Sequence, residues 1–246
     1  MGRRSLFAVL AAVSAALAAC GRQVTPNPPD LNAGGANPGF MTVKFDVAGP
    51  FDFSNYQYWI VFNTSGNRLS PLTNPTQNNF AAFSNAIMVG AVNGATAAQP
   101  YQWIKGANPA ASPAAHPFQV SPNQLQYVVN SNGSGTEFTL TFARSIFVSH
   151  AAATPTPGAS AAPYAKTWLF NAFVTQANSQ GQMLFVDSMG AGGGTDTTWV
   201  SPPLPICTNF DNPYYKNADL NPPSDPAAQI ASVEIANNGA TRTCPP

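Results

Sequence analysis

The acidic side chains are the first place to look for chemistry in this chain, because they are few. Glu137 and Glu234 are the only glutamates, and each lies in a stretch that alternates like a β-strand. A glycosidase needs two carboxylates that are spatial neighbours, about 5–10 Å apart. Both glutamates fall on the polar side of their alternation, so we expect each to point to solvent.

Catalytic motifs are absent from the sequence. It contains no Gly-x-Ser-x-Gly elbow, no His-Glu-x-x-His pair and no P-loop. The two histidines, His116 and His150, adjoin Ala/Pro-rich sequence, which does not hold an imidazole with the precision that Ser–His–Asp chemistry requires. We therefore expect no enzyme activity, and a polysaccharide hydrolase that uses Glu137 and Glu234 is the alternative.

Two aspartate-containing segments are weak candidates for Ca²⁺ binding. Asp187 and Asp196 bracket a glycine run, and Asp211 and Asp219 lie in the Pro- and Asn-rich stretch 207–225. Carboxylate and carbonyl oxygens are the ligands of Ca²⁺, although neither segment has EF-hand spacing. The alternatives are a long flexible hairpin loop for the first segment and a Pro-rich excursion for the second. No other cofactor is indicated.

Several aromatic side chains stand in sequence that resembles loops or strand ends. Flat apolar rings beside amides form platforms for sugar rings or peptide surfaces. The alternative is that the rings pack down and anchor their loops. The candidate ligand-binding residues are Tyr101, Trp103, Trp199, Tyr214 and Tyr215.

The N-terminus has the features of a secretory signal peptide. Arg3 and Arg4 precede an apolar stretch that ends Leu17-Ala18-Ala19-Cys20. This end resembles the lipobox of bacterial lipoproteins, which implies cleavage before Cys20, a diacylglycerol on its sulfur and usually an acylated amine. Gly21 in place of aspartate favours the outer membrane where the host has one. An ordinary signal peptide is the alternative, and Arg3-Arg4 also weakly resembles a twin-arginine signal.

Charge and cysteine content are consistent with an exported protein. Only 8% of the chain is charged, against about 25% in typical soluble domains. Removing residues 1–19 leaves eight of the ten basic residues against ten acidic ones, a net charge of −2. Such a chain lacks the basic stripe that nucleic acid binding needs. With Cys20 lipidated, Cys207 and Cys244 remain, and we predict a disulfide between them in an oxidising compartment.

The remaining sequence predicts a signal peptide over 1–19, a flexible tether over 20–39 and a single domain over 40–246. Residues 41–47 and 56–63 alternate apolar and polar side chains with the period of half-buried strands. Only 80–91 has a helical alternative. Further strands are predicted at 80–91, 118–130, 137–149, 166–177, 182–188, 196–201 and 228–237.

Short strands separated by Pro- and Gly-rich turns predict an all-β fold, an antiparallel β-sandwich of Ig-like or jelly-roll-like type with long Pro/Ala/Gly-rich loops. Residues 94–117 and 151–163 are rich in Ala and Pro, and we expect both to be mobile surface loops.

Together these observations predict a lipid-anchored protein of the cell envelope, held to the membrane by its N-terminal lipid. Its β-sandwich would bind a glycan or an envelope protein partner without catalysis. A structural subunit of a surface layer or fibre is the first alternative, and the hydrolase is the second.

Overall fold

The computed structural model describes residues 39–64, 84–104, 114–130, 135–148, 167–177, 183–189, 200, 203–206, 214–216 and 221–238. These residues belong to one compact unit and form antiparallel strands and one helical turn. The elements are β1 (Phe40–Val47), β2 (Tyr56–Asn63), β3 (Asn85–Val92), β4 (Ala95–Ile104), β5 (Ala114–Pro117), β6 (Leu125–Asn130), β7 (Glu137–Ala143), α1 (Ser145–Val148), β8 (Leu169–Ala177), β9 (Met183–Ser188), β10 (Tyr214–Lys216) and β11 (Ile230–Asn238).

The strands form two sheets packed face to face, which confirms the predicted antiparallel β-sandwich. The five-stranded sheet has the order β10-β11-β1-β7-β6, and the six-stranded sheet has the order β5-β4-β3-β2-β8-β9. The strands β1 and β2, adjacent in sequence, thus lie in different sheets. A sandwich of this kind buries the inward-facing residues of both sheets in one core.

The core forms because each central strand places alternate side chains on its inner face. In β1 these are Met41, Val43, Phe45 and Val47, all nearly inaccessible to solvent. Large aromatic rings fill the middle of the core; Phe45, for example, stacks on Phe138 with ring centroids 5.0 Å apart. The alternation that predicted β1 from sequence therefore also gives the direction of its side chains.

The six-stranded sheet carries a second apolar cluster on its outer face. Its buried members are Trp59, Val61, Ala86, Met88 and Phe173. The strands β2 and β8 bury side chains on both faces. Most of their residues are therefore apolar, as is common for strands that are covered on both faces.

The prediction of a surface loop over 94–117 is wrong, because this segment contains β4 and β5. Asn93 and Gly94 both have positive φ angles, 51° and 83°, and join β3 to β4 in a tight hairpin. Asn-Gly is the dipeptide that such hairpins favour. Pro100 has no N–H to donate. Its carbonyl accepts a hydrogen bond from Phe118 N on the side away from β3, and its ring nitrogen faces the same side, so no bond to β3 is lost.

Two other predicted strands are shorter than expected. The 137–149 strand ends at Ala143 and is followed by α1, which buries both Ile146 and Phe147. A strand would send these neighbours to opposite faces, so a helical turn buries them better. In 118–130 only β6 is a strand. The short β10, in the predicted Pro-rich excursion, was not predicted.

The strand predictions for 41–47, 56–63, 166–177, 182–188 and 228–237 are confirmed to within a few residues at each end. Residues 80–91 contain the strand β3, so the helical alternative is wrong. The signal peptide, the tether before Gly39, the 151–163 segment and nearly all of the 196–201 strand lie outside the described residues.

Candidate functional site

The outer face of the five-stranded sheet carries the polar side chains that alternate with the core residues along its strands. The register of β1 with its neighbours β7 and β11 places these side chains in rows across the sheet. We call this surface the polar face. It consists of Thr42, Lys44 and Asp46 of β1, Gln126 and Asn130 of β6, Glu137, Thr139 and Thr141 of β7, and Ser232 and Glu234 of β11.

An ion pair lies at the centre of the polar face. Lys44 and Glu234 are directly opposite each other on β1 and β11, and Lys44 Nζ lies 3.0 Å from Glu234 Oε2. The Lys44 side chain is 42% exposed and that of Glu234 is 20% exposed. The hydrogen bond from Lys44 to Glu234 raises the pKa of Lys44 above its usual value. Lys44 therefore carries its positive charge at neutral pH.

The other two carboxylates of the polar face also have partners. Asn130 lies opposite Glu137, and its amide nitrogen donates a hydrogen bond to Glu137 Oε1. Ser232 Oγ donates to Asp46 Oδ2 over 3.1 Å. Partial burial is the main cause that raises the pKa of Asp46 above its usual value. Each carboxylate is therefore held in place by a polar neighbour.

The two glutamates lie on the same sheet face, away from the core as the sequence predicted, but they are half-buried. Their strands β7 and β11 flank β1, two strand spacings or about 10 Å apart. Glu234 is level with Lys44, whereas Glu137 is level with Asp46, a further offset of about 7 Å along the strands. The backbone positions are thus about 12 Å apart, and Lys44 stands between them.

A row of polar atoms without partners crosses three strands beside these charges. Gln126, Thr141 and Thr42 lie directly opposite one another on β6, β7 and β1. The exposed fraction of Thr42 is 8% and that of Thr141 is 2%. Thr42 Oγ1, Thr141 Oγ1 and Gln126 Oε1 are buried, and none has a hydrogen-bond partner among the residues that the structure describes. We call these three residues the hydroxyl row.

Unpaired buried polar atoms are uncommon in folded proteins, because each loses its bonds to water without replacement. The hydroxyl row contains both kinds of group: the threonine hydroxyls donate and accept, and Gln126 Oε1 accepts. Sequence alternation placed Thr42 and Thr141 on the outer faces of their strands. It gave no information that β1 and β7 are neighbours, so the row itself was missed.

Of the calcium candidates, the structure describes only Asp187, and it is fully buried. Its Oδ1 accepts a bond from Ser188 N at 2.9 Å, and its Oδ2 accepts one from Ile230 N at 2.7 Å. The second bond joins β9 of one sheet to β11 of the other. Asp196, Asp211 and Asp219 lie outside the described residues, which themselves contain no group of three metal-binding side chains.

The aromatic candidates do not form one platform in the described part of the chain. The register of β10 turns Tyr215 inward, so its side chain is buried in the core. Its ring packs edge-on against that of Phe170, with the two ring centroids 4.9 Å apart. Tyr101 is half-buried against Trp59 on the outer face of the six-stranded sheet. Trp103 lies in β4, and Tyr214 lies in β10 where its backbone pairs with Glu234. Trp199 falls outside the described residues.

The cysteine predictions also fall outside the described residues, which include none of Cys20, Cys207 and Cys244. No helix within the described ranges is long and apolar enough to cross a membrane. Comparison of the chain with protein-family models, with curated proteins and with solved structures finds no match.

Proposed function

We propose that this protein is a lipid-anchored component of a bacterial cell envelope whose β-sandwich binds an uncharged glycan on the polar face, without catalysis. The lipobox-like sequence ending at Cys20 supports the anchor and the compartment. The observation that carries the binding function is the hydroxyl row, three in-register side chains whose buried polar atoms lack partners among the described residues.

The chemistry of the polar face favours sugar hydroxyls as the ligand groups. A sugar hydroxyl both donates and accepts, so it can satisfy the threonine hydroxyls and donate to Gln126 Oε1. Rotation about the Cα–Cβ bond lets each threonine present its hydroxyl to the face. Gln126 as a whole is only half-buried and lies on the edge strand β6, so the row ends at the edge of the sheet.

The charges of the face favour an uncharged ligand over a charged one. Lys44 is paired with Glu234, and Glu137 and Asp46 each accept a hydrogen bond from a neighbouring side chain. A charged ligand would have to break one of these pairs, which leaves a partly buried charge without a partner. The same pairing, with Lys44 between the two glutamates, supports binding rather than hydrolysis by them.

The test is binding by the full chain, purified from membranes in detergent. Melting temperatures are recorded with neutral oligosaccharides, such as chitin and cellulose fragments and dextran, and calorimetry follows for any that raise the midpoint. A ligand that binds only the folded state must raise it. We expect Thr141→Val to weaken that binding and Thr96→Val, at an exposed position of β4, to leave it unchanged.

Two results would contradict the proposal. The first is that no neutral glycan raises the melting temperature of the wild-type chain. The second is that a glycan binds equally well to the wild type and to Thr141→Val, which would place its site elsewhere on the molecule.

A further inference from the structure

The four edges of the two sheets differ in how well they are protected from pairing with another chain. Natural edge strands are kept short, charged, bulged or interrupted by proline. β5 has four residues and ends in Pro117, and β10 has three and includes Lys216. β9 is paired to β8 with a register shift between Val174 and Thr175. Each of these three edges carries a protective feature.

The edge strand β6 has none of these features. Its six residues, Leu125-Gln126-Tyr127-Val128-Val129-Asn130, include no charged residue and no proline. Its pairing with β7 is regular from Leu125 to Asn130. Val and Tyr also have high strand propensity. Among the described edges, β6 is thus the one with no feature that opposes the addition of another strand.

The register shows which backbone groups of β6 face outward. Ala143 N donates to Gln124 O, so the even-numbered residues of this strand bond to β7. In an antiparallel pair, successive residues point their backbone groups to opposite sides. The N–H and C=O groups of Leu125, Tyr127 and Val129 therefore point away from the sheet, and no described residue pairs with them there.

We propose that β6 pairs antiparallel with β6 of a second copy of this chain, about a two-fold axis at Tyr127. Only residues with outward backbone groups can exchange hydrogen bonds, so Leu125 pairs with Val129 of the second copy and Tyr127 pairs with itself. Three such pairs exchange about six hydrogen bonds. The junction joins the two five-stranded sheets into one continuous sheet.

The side chains of β6 are compatible with self-pairing. In this register Gln126 stands opposite Val128 of the second copy, and no charged side chain of β6 meets its own copy across the axis. A symmetric contact is favoured when no charged residue lies at the two-fold axis, because such a residue would face the same charge on the second copy. A second copy is favoured over an unrelated partner because the same edge supplies matching groups on both sides.

The test is disulfide cross-linking of the full chain in membranes. Gln126→Cys and Val128→Cys variants with different tags are expressed together and oxidised. Opposite residues of a non-hydrogen-bonded pair have Cα atoms about 4.5 Å apart, within the range that a disulfide spans. We expect a cross-linked species that carries both tags. The control pairs Gln126→Cys with Ala236→Cys, on β11, where no contact is expected.

The proposal is wrong if the first pair gives no more two-tag product than the control pair, or if the cysteines cross-link only to other proteins. Val128→Lys provides an independent test by sedimentation of the chain in detergent, because it places a charge on the edge. It should weaken dimer formation at least about tenfold. An unchanged dimer would move the interface away from β6. Neither test depends on glycan binding.

Discussion

The hydroxyl row leads to a prediction about folding stability that does not require the ligand. Thr42 and Thr141 are more than nine-tenths buried, and neither hydroxyl has a partner in the described part of the chain. A buried polar group without a bond costs about 1–3 kcal/mol. Replacing both threonines by valine keeps the branched shape and removes both costs. We expect the double variant to be more stable than the wild type.

The size of this effect follows from the lower end of that range. About 1 kcal/mol for each hydroxyl gives about 2 kcal/mol for the pair. For a domain of this size, 1 kcal/mol corresponds to about 2–4 °C in melting temperature. The double variant should therefore melt about 4–8 °C above the wild type. Urea unfolding should show a higher midpoint with an unchanged slope.

The same substitution at Thr175 is the matched control. Thr175 is fully buried, but its Oγ1 accepts a hydrogen bond from Trp59 Nε1 at 2.9 Å. Thr175→Val removes this acceptor and should destabilise the fold by about 1–3 kcal/mol. If the Thr42/Thr141 double variant loses stability as Thr175→Val does, the two hydroxyls are bonded within the protein, and the hydroxyl row is not a binding site.

Three further predictions concern the groups that hold the sandwich together. Asp187→Ala should destabilise the fold by about 2–5 kcal/mol, because it removes the buried carboxylate that accepts a hydrogen bond from Ile230 N. Ca²⁺ should not raise the wild-type melting temperature through this residue, and a rise abolished by Asp187→Ala would contradict its structural role. Tyr58→Phe should lower the free energy of unfolding in urea by about 1–3 kcal/mol, since it removes the buried hydrogen bond from the Tyr58 hydroxyl to the backbone carbonyl of Ala227. Tyr56→Phe should cost less, because the Tyr56 hydroxyl donates to the carboxylate of Asp225, which is exposed. Equal losses of stability would show that burial does not set the cost. The raised pKa of Asp46 means that its ionised form destabilises the fold, so this cost is absent at acid pH and appears as pH rises through the folded-state pKa. Asp46→Asn should therefore stabilise the protein at pH 7 by about a few tenths of a kcal/mol and have no effect on stability near pH 3. An equal effect at both pH values would exclude titration of Asp46 as the cause.

Much of the fold follows from local sequence patterns. Alternation alone identified β1 and β2 and gave the inward direction of Val43 and Phe45, because period-two burial is a property of a single strand. Strand order is not local. Neither Thr42 nor Thr141 carries any sign that its strand pairs with the other, so a site made of both could not be predicted from either stretch.

The errors in the sequence predictions have specific physical causes. The composition of 94–117 predicted a loop, but the Asn93-Gly94 turn at its start is a strong hairpin signal and was overlooked. Small residues such as Ala97 and Ala98 form a strand there because β3 supplies their backbone partners. Ile146 and Phe147 are consecutive apolar residues that suited a strand, and only the position of the core decides that both are buried.

The arrangement of the polar face argues for recognition over catalysis. A glycosidase needs at least one carboxyl group that donates or accepts a proton, and enzymes use burial or like charges to tune that group for its task. Here Glu234 is paired with Lys44, and Glu137 accepts a bond from Asn130. Each glutamate thus has a hydrogen-bond donor against its carboxylate. The groups of this face without partners in the described part of the chain are the hydroxyls of the row and the amide oxygen of Gln126. These groups do not titrate and are suited to hydrogen-bonding an uncharged ligand.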